Sequence, residues 1–243
     1  MLEWRVIHKE QTESTNSDAA NGSHLDVYTA DFQTCGRGRL DHKWLSPPKT
    51  NLMMSAVLSV EGISPEVVST FPLVAGLAVL KSLLEILRFE CRLSVKWPND
   101  ILADAKKIAG ILCERKGDNV IVGIGVNVLQ KEFAPEIASR ATSLVNVQGD
   151  LPCELSINKV RDAILDNLSL MYMVWKSEGF TPFHSEIGKF DFLKGRVISV
   201  VQTDDDSSPT IGKCTGIASD GSLMVAGEKI YAGEVHIASI FDE

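Results

Sequence analysis

A chain of 243 residues, 44% of them hydrophobic, has the length and apolar content of one substantial packed domain with room for a small appended one. Its formal charge of −8 at pH 7 and pI of about 5.2 argue against a protein whose main task is to grip nucleic acid, because that requires a basic, phosphate-neutralising surface. Five scattered cysteines (Cys35, Cys91, Cys113, Cys153, Cys214) suggest neither a disulfide framework nor a CxxC knuckle, and five histidines with no HExxH or HxxxH pairing suggest no transition metal.

Taken in chain order, the opening Met1-Leu2-Glu3-Trp4-Arg5 lacks a basic start followed by an apolar core, so no secretory signal is expected and the protein reads as cytoplasmic. Trp4–Lys9 and Asp26–Ala30 read as strands flanking the Ser14-Thr15-Asn16-Ser17-Asp18 cluster, with a short helix expected over Asp18–Asn21, ending at Gly22. Asn51–Val60 is a longer strand and Val67–Leu87 a core helix, with Pro72 near its start or bending it. The longest apolar stretch, Phe71–Leu80, stops at Lys81, short of the roughly 20 residues that cross a bilayer, so no membrane span is expected.

Three strand-like runs follow, Leu93–Trp97, Lys107–Glu114 and Asn119–Val128, separated by the turns Pro98-Asn99-Asp100 and Gly117-Asp118; the last two form a hairpin. Leu155–Trp175 and Pro182–Phe190 have helical periodicity. After Gly195 come short β pieces, Arg196–Val201, Thr210–Ala218, Ser222–Ala226 and Glu234–Ile240, around the polar run Asp204–Ser208 and the turn Asp220-Gly221. The expected division is residues 1–192 and a small β unit, residues 193–243.

Four segments carry candidate chemistry. In Gln33-Thr34-Cys35-Gly36-Arg37-Gly38-Arg39, glycine lets backbone N–H groups approach a ligand and arginine supplies planar cations for phosphate or carboxylate; the alternative is a surface RG loop. Lys96-Trp97-Pro98-Asn99-Asp100 offers Asn99 and Asp100 as oxygen ligands for Mg²⁺, or is simply a favourable turn. Lys107-Ile108-Ala109-Gly110 puts a lysine at a strand edge, and Gly123 and Gly125 share one strand face, leaving room for a flat ligand. The third glycine and following helix of a dinucleotide fold are missing, which excludes a Rossmann reading.

The ordered set Ser14-Thr15-Asn16, Gln33 with Gly36-Arg37-Gly38-Arg39, Trp44 with Ser46-Pro47, Lys96–Asp100, Lys107–Leu112 and Gly123–Asn127 closely resembles the biotin protein ligase family over about residues 10 to 130, and the piece around Gly233-Glu234-Val235 is similar to the SH3-like domain these ligases carry. The resemblance implies an α+β fold of the class II synthetase-like biotin/lipoate ligase type, a mixed β-sheet with packed helices plus the small barrel. It implies an enzyme that makes biotinyl-5′-AMP from biotin and MgATP and passes biotin to a lysine of a biotin carboxyl carrier domain. By the same resemblance, Ser14, Thr15, Asn16, Gln33, Gly36, Arg37, Gly38, Arg39, Lys107, Gly110, Gly123 and Gly125 bind biotin, and Arg39, Trp44, Lys96, Asn99, Lys107 and Asn127 seat the adenylate. Arg37, Arg39, Lys107 and Asp100 act in catalysis, with Arg39 also guarding the reactive adenylate, and Asn99 and Asp100 are the Mg²⁺ candidates.

The chain departs from the family where Leu40-Asp41-His42-Lys43 replaces further basic and glycine residues. A near-immediate start of the catalytic-type sequence implies no DNA-binding domain and no repressor activity; a homodimer through an exposed sheet edge is plausible for such a fold. The runner-up is a lipoyl or octanoyl transferase, and the non-enzymatic alternative a biotin- or RNA-binding module.

Overall fold

The structure, a computed structural model, describes residues 2–40, 42–87, 92–148, 155–201 and 209–237. Asp41, Cys91, Cys153, the Asp204–Ser208 run and residues 238–240 of the last expected strand lie outside the described residues. The elements are β1 (Arg5–Thr12), α1 (Thr15–Ala19), β2 (Asp26–Gln33), β3 (Asn51–Ser59), α2 (Pro65–Val68), α3 (Phe71–Leu87), β4 (Leu93–Lys96), β5 (Asp100–Ala103), β6 (Lys106–Lys116), β7 (Asn119–Asn127), α4 (Pro135–Ala138), α5 (Leu144–Gln148), α6 (Ile157–Glu178) and α7 (Thr181–Lys189), then β8 (Val197–Val201), β9 (Thr210–Ile217), β10 (Leu223–Val225), β11 (Glu228–Ile230) and β12 (Glu234–Ile237).

β3 and β7 are buried almost throughout, as their near-continuous apolar sequences require of strands covered on both faces. They lie side by side in a seven-stranded sheet of order β1-β2-β3-β7-β6-β5-β4. The β1–β2 pair is parallel and all other neighbours are antiparallel, so the sheet is mixed. On one face Leu52, Met54, Ala56 and Leu58 of β3 and Val122, Ile124 and Val126 of β7 join the main core with α3 and α6. On the other face Val57 and Ile121 meet Ala19 of α1.

The helix-forming stretch Pro65–Leu87, 23 residues, is long and apolar enough to cross a membrane by length and composition, a longer run than the Phe71–Leu80 stretch seen in the sequence. It is 72% buried within the fold, with Phe71, Leu77 and Leu80 fully enclosed, and it serves as the core helix. Pro72 is the second residue of α3, where a missing N–H costs nothing, and Ser82 Oγ donates to Ala163 O on α6 at 2.9 Å. The outer edge of β4 is closed by backbone bonds of Val95 with Phe190 and Phe192, whereas among the described residues no strand pairs with the outer edge of β1.

The C-terminal strands form a second, antiparallel sheet of order β11-β10-β9-β8-β12. It is fastened to the first part by Trp97 Nε1 donating to Gly221 O at 3.0 Å and by His184 Nε2 with Ile217 O at 2.8 Å.

Three expectations need correction. α1 begins at Thr15, not Asp18: Ser14 is extended (φ −160°, ψ 135°) and its carbonyl accepts the first helical bond, from Asp18. Asp100 is not a turn residue but opens β5, an element too short to show periodicity. The single helix expected over Val67–Leu87 is two, α2 and α3, parted at Ser69 and Thr70, and β11, α4 and α5, each five residues or fewer, left no periodicity to read.

Leu77→Ala, on the fully enclosed face of α3, is expected to cost about 2–5 kcal/mol of stability, measured as a lowered urea midpoint.

Candidate active site

One row of the ladder crosses the large sheet through Lys96, Asp100, Gly110, Gly125 and Met53, each paired with the next. Residues so paired share a face, so a flat glycine surface lies between two charged residues on one side and a thioether on the other. Gly123, two residues before Gly125, extends the surface beside Ser55. The face opposite the main core is therefore bare where these glycines stand, and it floors a cavity of about 260 Å³.

A β-bulge brings Lys107 to this face. Strict alternation puts a residue three before Gly110 on the opposite face, but Leu102 pairs with Lys107 while Ile101 pairs with Ala109, so Ile108 is the extra residue and is buried in the core. The Lys107 ammonium then ion-pairs with Asp100 Oδ1 at 2.6 Å, without the alignment of a hydrogen bond, and lies 5.9 Å from the centre of the Trp44 ring.

At the other end of the floor stands an uncharged hydrogen-bonding cluster. Thr15 donates from N (2.7 Å) and Oγ1 (3.1 Å) to Gln33 Oε1, and Ser55 Oγ lies 2.7 Å from Thr15 Oγ1 and 2.6 Å from Asn16 Oδ1. Asn16 Nδ2 donates to Glu114 Oε2 at 2.6 Å. Ser14, Thr15, Asn16 and Ser55 are all buried, and Asn16 packs against the bare Cα of Gly123, where a Cβ would clash with its Oδ1.

The arginine loop folds back on itself. Gly38 N donates to His42 O at 2.6 Å, Trp44 N to Gly36 O at 2.9 Å, and Arg37 bridges Lys43 antiparallel. A Cβ on Gly36 would strike Trp44 O, and one on Gly38 would come 3.1 Å from His42 O, so these glycines admit the loop's own return strand. Trp44 lies over Gly125 and Gly110, and its buried indole N–H has no hydrogen-bond partner among the described residues. Arg39 reaches the second sheet, Nη1 donating to Gly233 O at 3.4 Å; burial lowers its pKa, opposed by Asp100 and Glu234.

Burial also lowers the pKa of Lys96, against the pull of Asp100 and with Lys107 adding repulsion. Asn99 Nδ2 donates to Ile111 O at 2.6 Å and Ile111 N to Asn99 O at 2.9 Å, which locks the turn onto β6. Among the described residues no three His, Cys, Asp or Glu side chains gather as a metal site, and Asp100 is engaged by Lys107. A magnesium ion here would depend mainly on substrate phosphates, its usual mode.

Of the residues expected from sequence, Ser14, Thr15, Asn16, Gln33, Arg37, Gly38, Arg39, Trp44, Lys96, Asn99, Asp100, Lys107, Gly110, Gly123 and Gly125 line this one cavity. Gly36 and Asn127 are not part of the lining; the Asn127 amide is buried and donates to Thr142 O at 2.9 Å. Sequence reasoning missed Arg140, which carried no signal, and Glu234, noted only within the Gly233-Glu234-Val235 piece; it also missed Ser55, a hydroxyl inside an apolar strand, and Glu114, both of which bond to lining residues. Arg140 is brought in because its carbonyl accepts from Lys107 N at 2.8 Å and Thr142 N donates back to Lys107 O.

The model of the biotin/lipoate A/B protein ligase family matches residues 5–129. The chain is 34% identical over 183 residues to the biotin--[acetyl-CoA-carboxylase] ligase of Mycobacterium tuberculosis, covering 72% of this chain and 66% of that one, and thus spans about two thirds of its length. It is 32% identical over 231 residues to the enzyme of the same name from Paracoccus denitrificans, covering 89% and 92%. The biotin protein ligase of Aquifex aeolicus, solved with biotin and ATP, superposes with a TM-score of 0.84 at 31% identity, over 95% of this chain and 97% of that one.

Because burial disfavours the charged form of Lys96, Lys96→Met is expected to hold or raise stability, by up to about 1 kcal/mol in urea unfolding, while impairing the site. A lowered urea midpoint contradicts this.

Proposed function

The chain belongs to the biotin/lipoate A/B protein ligase family, and within it to the biotin protein ligases; on that premise we propose that it joins biotin to ATP as biotinyl-5′-AMP and then transfers biotin to a lysine of a biotin carboxyl carrier domain. The observation that carries this reading is a single cavity graded from neutral hydrogen-bonding groups (Thr15, Gln33), across a glycine floor, to a cationic end. Biotin has the matching order: a polar ureido head, an apolar body and a carboxylate.

In the first step the biotin carboxylate attacks the α-phosphorus and pyrophosphate leaves; in the second the acceptor amine attacks the acyl carbon and AMP leaves. Two anions must meet in the first step, and Arg37, Arg39, Lys96 and Lys107 offset that repulsion and stabilise charge growing on the phosphoryl oxygens. Magnesium, bound with ATP, supplies further neutralisation. Asp100, beside Lys107, is the carboxylate positioned to take a proton from the incoming amine. Ser14, Thr15, Asn16 and Gln33 recognise the ureido head; octanoate has no such group to pair with them, and lipoate only a disulfide. Trp44 covers the floor and is placed to pack on the adenylate.

We assign residues 1–192 to the catalytic unit and 193–243 to the appended β unit, which supplies Gly233 and Glu234 to the cavity wall. The partner is read as protein rather than DNA, supported by the charge of −8 and by cations gathered in the cavity. The free thiols Cys35, Cys113 and Cys214 suit the cytoplasm, and the outer edge of β1 suits a homodimer.

Pyrophosphate release from MgATP is expected with biotin and not with lipoate or octanoate, and a carrier domain should be biotinylated on lysine; release with lipoate instead of biotin, or no release with any of the three acids, refutes the reading. Arg140→Ala, removing an exposed cation at the rim, is expected to raise KM for MgATP about tenfold with KM for biotin within twofold, read from initial rates.

A further inference from the structure

Glu114 is a carboxylate beside the cavity, bonded to two residues that line it. Counting along β6 from Gly110, its side chain emerges on the glycine face, past Leu112. One of its oxygens, Oε2, accepts from Asn16 Nδ2 at 2.6 Å and from Arg37 Nη2 at 2.9 Å. Asn16 belongs to α1 and the neutral end of the cavity; Arg37 belongs to the loop that closes over it. No other side chain among the described residues is recorded bonding both.

Asn16 is fixed on its remaining side by Ser55 Oγ and lies flat on Gly123, so the Glu114 oxygen is held at a defined place. Arg37 pairs with that oxygen while about half exposed. The chain of contacts Gln33–Thr15–Ser55–Asn16–Glu114–Arg37 thus runs from the strand that ends at the loop back to the loop itself.

We propose that Glu114 is a positioning residue that tethers the Gly36–Arg39 loop to the neutral end of the cavity, so that retention of the bound acyl-adenylate depends on it. The inference rests on the ligase reading above. An exposed charge pair contributes little to folding, and Glu114 sits outside the core, so its removal leaves the fold intact. What it changes is how often the loop leaves the cavity. A carboxylate here has an opposing effect as well, since it competes with an anionic ligand for Arg37, and the sign of the measured effect decides between tether and competitor.

The test forms biotinyl-5′-AMP on the intact protein from biotin and MgATP and follows its release after a chase of unlabelled biotin, for the unaltered chain, Glu114→Ala and Glu114→Gln, at low and high salt. Release is expected about fivefold faster in Glu114→Ala, with Glu114→Gln between the two, because its carbonyl keeps an acceptor but no charge. Salt should speed release from the unaltered chain and have a weaker effect on both variants, a dependence that a merely structural role does not produce. Equal release and equal salt dependence overturn the proposal, and slower release in Glu114→Ala makes Glu114 a competitor. Failure of the unaltered chain to form any adenylate overturns the ligase reading itself, and the tether with it.

Discussion

Gly110 and Gly125 face each other across the β6–β7 ladder, and Gly123 lies two residues along on the same face. The absence of these three side chains is the constraint around which the site is arranged. A Cβ on Gly125 would come 2.6 Å from the Trp44 ring, and one on Gly123 would strike Asn16. With side chains there, the loop carrying Trp44 and the helix carrying Asn16 would both be pushed off the sheet. The cost is a central stretch with little to bury on one face, and it falls on β6 and β7, whose opposite faces join the main core with α3 and α6.

The same arrangement explains how an acidic chain maintains a cationic pocket. Arg37, Arg39, Lys43, Lys96, Lys107 and Arg140 line it against Asp100 and Glu234. Burial lowers the pKa of both Arg39 and Lys96, so the fold holds these charges at some expense of stability. Asp100 moderates that cost: it pairs with Lys107 and pulls on Arg39 and Lys96 alike. An anionic group held among these cations would take over part of this role, because they are already desolvated and in place.

How much of this was legible in the sequence depended on whether the signal was local. The mixed sheet with packed helices, the β6–β7 hairpin and the core helix were readable, because each rests on a long apolar run or a turn, although the break between α2 and α3 was not. The motif residues were readable as a set from their order. The direction of Lys107 was not, since it depends on a one-residue bulge that ordinary alternation contradicts. Neither was the start of α1, where Thr15 and Asn16 are weak helix formers held by partners 18 to 98 residues away. Gly36 and Gly38 were legible as necessary, but the space they clear for the loop's own backbone was not. Arg140 reaches the cavity only through backbone pairing with Lys107, a contact 33 residues apart with no sequence trace.

The second sheet belongs to the same chemistry rather than merely following it. Arg39 donates to Gly233 O, His42 lies 3.6 Å from Glu234, and Gly233 to His236 form part of the cavity wall. The Trp97 indole, anchored on Gly221 of the same sheet, belongs to the turn that leads into Asp100. A shift of the small sheet would therefore reach the cavity by two routes at once, through the arginine loop on one side and the Lys96–Asp100 turn on the other. The charged end of the site is thus built across two sheets, while its neutral end, from Gln33 to Asn16, is built on the large sheet alone. The neutral cluster keeps its own bonds without the second sheet, whereas Arg39 at the charged end is held by a bond to Gly233.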